Sequence, residues 1–536
     1  MKRTIAGMLA GAVALAGAAA WAAEDDRFSE KALLDLAPPG PHVGLKPDQV
    51  KVPGFSSKDR LVGTYYFYWY DDASRAHFVD GDGSDALTDH PAEPKGYSYK
   101  SVDWHRREML DLMDAGIDVV LPVYWASPAT HLAGCCKWSF EGLPPLVAAQ
   151  EKLLAEGRTP PRIGLFYDTS TLQYNAAGRH VDLTTPDGKA WFYVTIRDFF
   201  SLIPPARWAT IDGRPIVFLY AAAFAAKGSD DPALVTYVRE HFAQDFGGAV
   251  PYLVAERSWR LPADSTYAWG AAFGLQVLGV ASVGPGYDDS AVPGRTTPRQ
   301  DREGGAFYRR QWDRLLAIDP ARRPHLVTVE TWNELHEGTD IAESREYGRQ
   351  YIDLTRTYAA AWKAGERRKP SGSYAAAAEV ALTFGPQGKN AGVALKTGAD
   401  GEAGPAEAAG FACIQSLPNR FNKDQFLYFE VDDSFYFDSG EPVEVAFEYF
   451  DQGTEPVRLD YDSADPAATL DGAYKVGGSV ARADSGTWKR AAFALKDARF
   501  MNRENLGSDL RLYTPGSPLK VRGVEVRKAP APGPAR

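Results

Sequence analysis

The sequence lacks the patterns that mark several common enzyme classes. Its 536 residues include only three cysteines and nine histidines, and the histidines do not show the H-x-x-x-H spacing of a catalytic zinc site. No G-x-S-x-G nucleophile elbow and no G-x-x-x-x-G-K-[ST] phosphate loop occurs. These absences argue against a zinc hydrolase, a serine hydrolase of the elbow type and a phosphate-loop nucleotide-binding protein.

Basic residues and long apolar runs are also scarce. The chain has 59 Lys and Arg against 70 Asp and Glu, a net charge of -11, and the basic residues are not clustered as nucleic-acid binding requires. The first 23 residues combine Lys2 and Arg3, an apolar run and small residues at Ala20 and Ala22, which predicts a cleaved signal peptide over 1–23. No later stretch approaches the length of a membrane span. We therefore expect an exported protein, periplasmic or secreted, without a transmembrane segment.

The three cysteines leave several pairings open. An oxidising compartment permits a disulfide, and the neighbours Cys135 and Cys136 could form a strained vicinal bridge. Alternatively, one of them bonds to Cys413, or all three are reduced.

The chain is too long for one ordinary domain, and its composition changes along its length. An irregular, Pro-rich segment (24–58) precedes alternating strand and helix patterns over 59–364. The run G-E-R-R-K-P-S-G-S (365–373) reads as a linker. Residues 374–528 show period-2 alternation, which predicts an antiparallel, jelly-roll-like β-sandwich, and residues 529–536 form a disordered tail.

The segment 59–364 predicts an α/β fold. Eight candidate strands occur, at 61–69, 117–125, 162–168, 214–220, 251–256, 271–277, 280–283 and 325–332. Helical patterns lie at 103–115, capped by Asp103 and ended by Gly116, and at 143–155, 190–202, 232–242, 306–317 and 344–362. Eight buried strands spaced mostly by helices predict a (β/α)8 TIM barrel.

Polar and aromatic residues follow several of these strands, where barrel enzymes place their active sites. Aromatic faces and carboxylates at one rim suit a carbohydrate, which has apolar CH faces and hydroxyl edges. The alternatives are barrel filling for the aromatic residues, and helix caps or salt bridges for the carboxylates. The candidate substrate-binding residues are Tyr68, Trp69, Trp125, Asp168, Glu256, Trp259, Tyr287 and Asp288.

The octet E-T-W-N-E-L-H-E (330–337) ends the eighth predicted strand. Glycosidic bond cleavage uses two carboxyl groups, and Glu334 and Glu337 would share one face if the chain turned helically here. Mutual repulsion would then split their pKa values, as an acid and a base require. We assign Trp332, Asn333 and His336 to the substrate site and a supporting role to Glu330. The alternative is a structural hydrogen-bond network.

The run W-N-E-L-H-E-G-T-D-I-A-E (332–343) resembles the N-E-W-H-E-G-T-Q-I-E signature of glycoside hydrolase family 99, the endo-α-mannosidase family. The strand Y-Y-F-Y-W-Y (65–70) is similar to that family's first strand. The resemblance implies that Glu334 is a base on the sugar 2-hydroxyl, giving an anhydro-sugar intermediate with retention, and that Glu337 is the general acid/base. The arrangement of a barrel followed by a sandwich resembles a bacterial branch of that family, called domain of unknown function 5010.

The sequence thus predicts an exported glycoside hydrolase that needs no cofactor and acts on a polysaccharide or glycan, and the resemblance implies that it retains configuration. Two alternatives remain: a non-catalytic carbohydrate-binding or polysaccharide-assembly protein, and a transglycosylase acting on surface polysaccharide. A structural calcium ion could bind the acidic loop V-D-G-D-G-S-D (79–85), although a solvated loop explains it too. The oligomeric state is not indicated.

Overall fold

The computed structural model describes residues 26–128, 130, 136–296, 298–386, 388–419 and 423–529. The signal peptide, Cys135 and nearly all of the C-terminal tail lie outside these residues, so export, the vicinal disulfide and the disordered tail stay predictions. The chain forms two compact units, Met1–Trp312 with Pro324–Glu366, and Asp313–Arg323 with Arg367–Arg536. Among the described helices, none is long and apolar enough to cross a membrane.

The first unit is a nearly closed, TIM-barrel-like sheet, as the sequence predicted. Its parallel strands follow the hydrogen-bonding order sixth, fifth, fourth, third, second, first, eighth, seventh. In chain order they are Leu61–Tyr66, Val119–Tyr124, Arg162–Ile163 with Leu165–Tyr167, Arg214–Leu219, Tyr252–Glu256, Ser265–Tyr267, Ala281–Val283 and Leu326–Val329. The sixth and seventh strands do not pair as a ladder. One backbone hydrogen bond, from Val280 N to Thr266 O (2.8 Å), bridges them.

The described part of the chain contains six long helices. They are Val102–Asp114, Leu143–Ala155, Pro186–Ser201, Pro232–Asp245, Ala306–Ala317 and Gln350–Lys363. Short helices lie at Glu30–Leu34 and Trp138–Glu141, and 3-10 turns at Asp26–Phe28, Thr169–Leu172, Pro205–Arg207, Ala222–Phe224 and Glu303–Gly305. The cap of the first long helix is Ser101, whose hydroxyl accepts from Trp104 N (3.2 Å). Asp103, the predicted cap, lies instead in the first turn.

The predicted sixth strand, 271–277, is wrong. Its first part is the 3-10 turn Ala271–Phe273, and only Gln276–Val277 is extended, antiparallel to the seventh strand. Gly270 (φ +107°) and Gly274 (φ +150°) flank the turn in conformations that interrupt a strand. The parallel sixth strand is Ser265–Tyr267, joined to the fifth by residues 257–264 without a helix.

The first strand shows how alternation separates the barrel interior from its outer layer. The Tyr65 ring packs inside against Phe166 (4.8 Å between centroids) and Trp269 (5.0 Å). The next residue, Tyr66, points to the helix layer, where its hydroxyl hydrogen-bonds His105 Nδ1 (2.9 Å). Both rings are fully buried, since side chains of a strand alternate between its two faces.

The second unit contains two antiparallel sheets. The seven-stranded sheet comprises Asn390–Ala391, Glu379–Thr383, Lys520–Lys528, Phe411–Ser416, Ala403–Ala408, Val443–Phe450 and Trp488–Leu495. The five-stranded sheet has the order Val393–Lys396, Gln425–Val431, Leu510–Thr514, Val457–Tyr461, Lys475–Val480. This unit also contains a 3-10 turn at Asn505–Gly507. In the first unit, the short strand Thr210–Ile211 pairs antiparallel with the fourth barrel strand.

Both sheets contribute to one apolar core. Phe447 and Val524 come from the seven-stranded sheet, and Leu459 and Leu512 from the five-stranded one. The jelly-roll-like connectivity stays a prediction. Cys413 in this unit is buried and is a free thiol in the described part of the chain; the pairing of Cys135 and Cys136 stays a prediction.

Candidate active site

The residues after the eighth strand form a loop that closes on itself. Thr331 N donates to Thr339 O (2.8 Å), and Ile341 N donates to Trp332 O (2.9 Å). The Glu330–Thr331 peptide bond is cis. We call residues 330–341 the carboxylate loop. It consists of turns and contains no helix, so the helical turn considered from the sequence is not how Glu334 and Glu337 come together.

Asn333 and Trp332 tie this loop to the rest of the barrel. Asn333 Oδ1 accepts from Phe67 N (2.8 Å), and Asn333 Nδ2 donates to Phe67 O (2.7 Å), so the side-chain amide pairs with the main chain directly after the first strand. The buried Trp332 indole donates to Glu108 Oε2 (2.6 Å). Their polar groups are thus used to hold the loop.

Glu334 is held from one side by His336. Glu334 Oε1 accepts from His336 N (3.1 Å) and lies 2.8 Å from His336 Nδ1. The imidazole stacks on the Tyr70 ring (5.6 Å, 13°) and meets Trp69 edge-on (5.5 Å). Trp69 also stacks on His77 (4.7 Å, 4°). Aromatic packing therefore fixes the imidazole that orients this carboxylate.

Glu337 has a cation as its partner. Glu337 Oε1 accepts from Arg295 Nη1 (2.6 Å), and the same nitrogen lies 3.2 Å from Tyr287 Oη and 3.4 Å from Asp289 Oδ2. Burial raises the pKa of Glu337 to about 7, the negative charge of Glu334 adds to this, and Arg295 opposes it. Glu337 can therefore carry a proton near neutral pH.

Three more predicted carboxylates lie around this pair. Burial raises the pKa of Asp168 to about 6, and the charge of Glu334 contributes. Asp168 also caps a 3-10 turn through Ser170 N (3.0 Å). Glu330 accepts from Gly270 N (3.0 Å) and Ala271 N (2.9 Å), while burial raises its pKa to about 8. Glu256 accepts from Ser258 N (2.8 Å).

The predicted aromatic residues separate into two groups. Tyr68 and Trp259 are buried, and their polar atoms donate to the backbone carbonyls of Ser139 and Tyr220; both belong to the barrel wall. Trp69 and Tyr287 contact the groups that hold Glu334 and Glu337. Trp125, half-buried, donates to Ser170 Oγ (2.6 Å) beside Asp168.

Asp288 is placed by its backbone. Its N–H donates to Glu337 O (2.9 Å), whereas its partly exposed carboxylate accepts from Ser290 N (2.9 Å) and lies 3.1 Å from Arg299 Nε. Its neighbour Asp289 is the residue that contacts Arg295. The structure therefore brings the Asp288 main chain, and not its side chain, to Glu337.

Arg295 and Tyr220 are among the residues of the site that the sequence analysis missed. Arg295 lies in the loop after the seventh strand, and nothing in S-A-V-P-G-R-T distinguishes it from a surface arginine. Tyr220 directly follows the fourth strand, where a signal was available. Burial raises the pKa of its phenol, and the nearby charges of Asp168 and Glu337 add to the effect.

No group of three or more His, Cys, Asp or Glu side chains in the described part of the chain could hold a metal ion. In the acidic loop, Asp82 Oδ1 accepts from Ser84 N (2.9 Å), and Val79 pairs with Asp85. Structural calcium stays a prediction.

A family model described as a domain of unknown function, DUF5010, matches residues 51–371. The chain belongs to the DUF5010 family. This match confirms the resemblance read from the sequence, and it spans the eight barrel strands and the whole carboxylate loop.

The DUF5010 chain is also similar to named proteins. A glycoprotein endo-alpha-1,2-mannosidase-like protein from Danio rerio is 33% identical over 81 residues, 14% of this chain and 17% of that relative's length. The GH99 endo-alpha-mannosidase from Bacteroides thetaiotaomicron aligns at 15% identity and a TM-score of 0.41, over 57% of this chain and 98% of that one. A glycoside hydrolase-like protein aligns at 17% identity and a TM-score of 0.39, over 59% and 99%.

Proposed function

We propose that this protein is an exported glycoside hydrolase that cleaves a polysaccharide or glycan with Glu334 and Glu337. One observation carries the proposal: two carboxylates of one loop lie close enough for the charge of Glu334 to raise the pKa of Glu337. They also have different partners, His336 and Arg295. Such a difference in surroundings gives two carboxyl groups separate acid and base roles.

The proposed chemistry begins with Glu337 as the acid. Its proton passes to the glycosidic oxygen as the bond from that oxygen to the anomeric carbon breaks. Glu334 accepts the proton of the sugar 2-hydroxyl, and that oxygen bonds to the anomeric carbon as an anhydro sugar. Water, deprotonated by Glu337, then opens the ring at the anomeric carbon while Glu334 returns its proton, so the configuration is retained. These reaction steps are the ones that the motif's resemblance to glycoside hydrolase family 99 implies.

The surroundings of the pair support a sugar substrate. Trp69, Trp125, Tyr287 and His336 present aromatic groups beside Glu334, Glu337 and Asp168, and such a mixture suits a ring with apolar faces and hydroxyl edges. We further propose that the strand-rich second unit is a sandwich that assists the barrel rather than carrying the chemistry.

Conservative substitutions test the assignment. We expect Glu334→Gln and Glu337→Gln each to lower kcat by about 100-fold or more, the usual contribution of an acid/base group. Gln keeps the size and polarity of Glu but cannot exchange the proton. Turnover is measured as reducing ends released from a panel of glycans, with the product anomer read by NMR.

Glu346→Gln is the matched control, because Glu346 lies at the surface and pairs with His90. Wild-type turnover in both site variants would contradict the proposal. No release by wild type, together with glycan binding, would favour the non-catalytic alternative. An inverted product would exclude the anhydro-sugar route.

A further inference from the structure

A buried arginine, Arg302, holds the turn that follows Glu337. Its Nη2 donates to Gly338 O (2.9 Å), Asp89 Oδ2 (2.8 Å) and Asp340 Oδ1 (3.1 Å), and its Nη1 donates to Asp340 O (2.8 Å). The Arg302 side chain is 7% exposed, and those of Asp89 and Asp340 are 5% and 1% exposed. The guanidinium therefore joins the two ends of the Gly338–Asp340 turn.

The segment that carries Asp89 holds the other part of the carboxylate loop. Thr88 N and Asp89 N both donate to Leu335 O (3.0 and 3.1 Å), and Thr88 Oγ1 donates to His336 O (2.8 Å). Asp89 therefore links the contacts of Arg302 to the hydrogen bonds that hold Leu335 and His336. Backbone groups on both sides of Glu337, residues 335–336 and 338–340, are thus fixed by one buried assembly.

Two tyrosine rings pack against the guanidinium. Tyr347 and Tyr351 lie with their centroids 4.2 and 4.7 Å from Arg302 Cζ, a cation–π arrangement. A planar group with five donors fits this site, whereas a lysine ammonium has three donors and no planar face. The signature of glycoside hydrolase family 99 quoted above has glutamine where this chain has Asp340, so the buried ion pair depends on this chain's own residue.

We propose that Arg302, held by Asp89 and Asp340, is a positioning residue that fixes the Glu337 carboxyl relative to Glu334 and Arg295. It acts through the Gly338 carbonyl and the two aspartates and does not touch substrate. The expected effect on kcat rests on the proposed function. The expected effect on the position of Glu337 rests only on the contacts of Arg302, Asp89 and Asp340. Loss of the assembly should let Glu337 drift from Arg295, the cation that opposes the rise of its pKa.

The test compares Arg302→Lys and Arg302→Met with Arg310→Met, an exposed arginine paired with Glu303. We expect kcat to fall by about 10-fold in the lysine variant and about 100-fold in the methionine variant, with KM changed less than about 3-fold, since transition-state geometry is lost and not binding. The alkaline limb of the kcat profile should move to higher pH. Arg310→Met should match wild type.

A second measurement does not depend on turnover. Carbodiimide modifies protonated carboxyl groups, so labelling of Glu337 against pH, located by tandem mass spectrometry, follows its protonation directly. We expect the midpoint to rise in both Arg302 variants and to stay unchanged in Arg310→Met. If wild type hydrolyses nothing but this midpoint still moves, the proposed function fails and the positioning role stands.

Two results would overturn the proposal. One is a folded Arg302→Met protein, judged by circular dichroism, with wild-type kcat and labelling midpoint. The other is a fall of kcat in Arg302→Met by the expected amount while the labelling midpoint of Glu337 stays at its wild-type pH, which would indicate general destabilisation. If Arg302→Met does not fold, the lysine variant decides between the same outcomes.

Discussion

At the scale of single residues, Arg295 has a predictable effect on the pH dependence of the proposed reaction. Its charge lowers the pKa of Glu337 while burial and Glu334 raise it to about 7. Removal of the cation in Arg295→Gln therefore raises that pKa further, and Glu337 keeps its proton to higher pH. We expect the alkaline limb of the kcat/KM profile to shift upward by about one pH unit or more.

The control for this shift is Arg356→Gln, which removes an arginine that is half-exposed and paired with Asp114. Its profile should coincide with wild type. An alkaline limb that moves to lower pH in Arg295→Gln would contradict the assignment of Glu337 as the acid.

The sequence predicts that Glu334, Glu337 and His336 lie together, because they follow a strand in one compact run, and the structure places His336 against Glu334. It could not identify Arg295, whose place beside Glu337 depends on how the long loop after the seventh strand folds back. It also could not show that Asn333 is used in holding Phe67, since that requires the first and eighth strands to be neighbours. Tyr220 could have been found by applying the strand-end rule to the fourth strand.

At the scale of elements, the carboxylate loop depends on glycine at 338. Its φ is +54°, and a Cβ there would lie 3.0 Å from Asp288 O and 3.3 Å from Asp89 Oδ2. Gly338→Ala should therefore add steric crowding to backbone strain and cost about 2–3 kcal/mol of unfolding free energy. We also expect kcat to fall by about 10-fold or more, because the turn carries Glu337.

Gly348→Ala separates these two causes. Gly348 has the same φ, +54°, but no atom within 4 Å of the added Cβ, so only strain of about 1 kcal/mol is expected. Urea unfolding of both variants gives the comparison. Equal losses of stability would show that the contact with Asp288 O is of no importance.

The same scale shows where periodicity fails as a guide. For strands of five or six residues rich in β-branched and aromatic side chains, the pattern predicts nearly the observed positions. The sixth strand, S-T-Y, has three residues and no helix before it. Three residues are too few to show an alternating pattern. The apolar run A-A-F instead predicts a strand, although the glycines at 270 and 274 interrupt the chain on both sides of it.

At the scale of the whole molecule, each unit has its own apolar core. A substitution in one core should therefore lower the stability of that unit. Leu459 is fully buried between the sheets of the second unit. Leu459→Ala should cost about 2–5 kcal/mol and lower the calorimetric transition of that unit by about 5–15 °C. The transition of the barrel unit should stay in place.

Val476→Ala provides the comparison, because Val476 lies in the same unit but is 55% exposed. Its transition temperatures should match those of wild type within about 1 °C. A fall in both transitions of Leu459→Ala would mean that the two units unfold together.

The gap between the sixth and seventh strands has a further consequence through Glu330. This carboxyl, directly after the eighth strand, accepts from the main-chain N–H groups of Gly270 and Ala271 just beyond the sixth strand, and so spans the place where ladder hydrogen bonds are missing. Main-chain donors are supplied by almost any amino acid, so relatives could keep this cross-link while their side chains at 271 diverge. Its only traces in a family's sequences would be an acidic residue at the first position of the carboxylate loop and, because φ is +107°, a glycine at position 270.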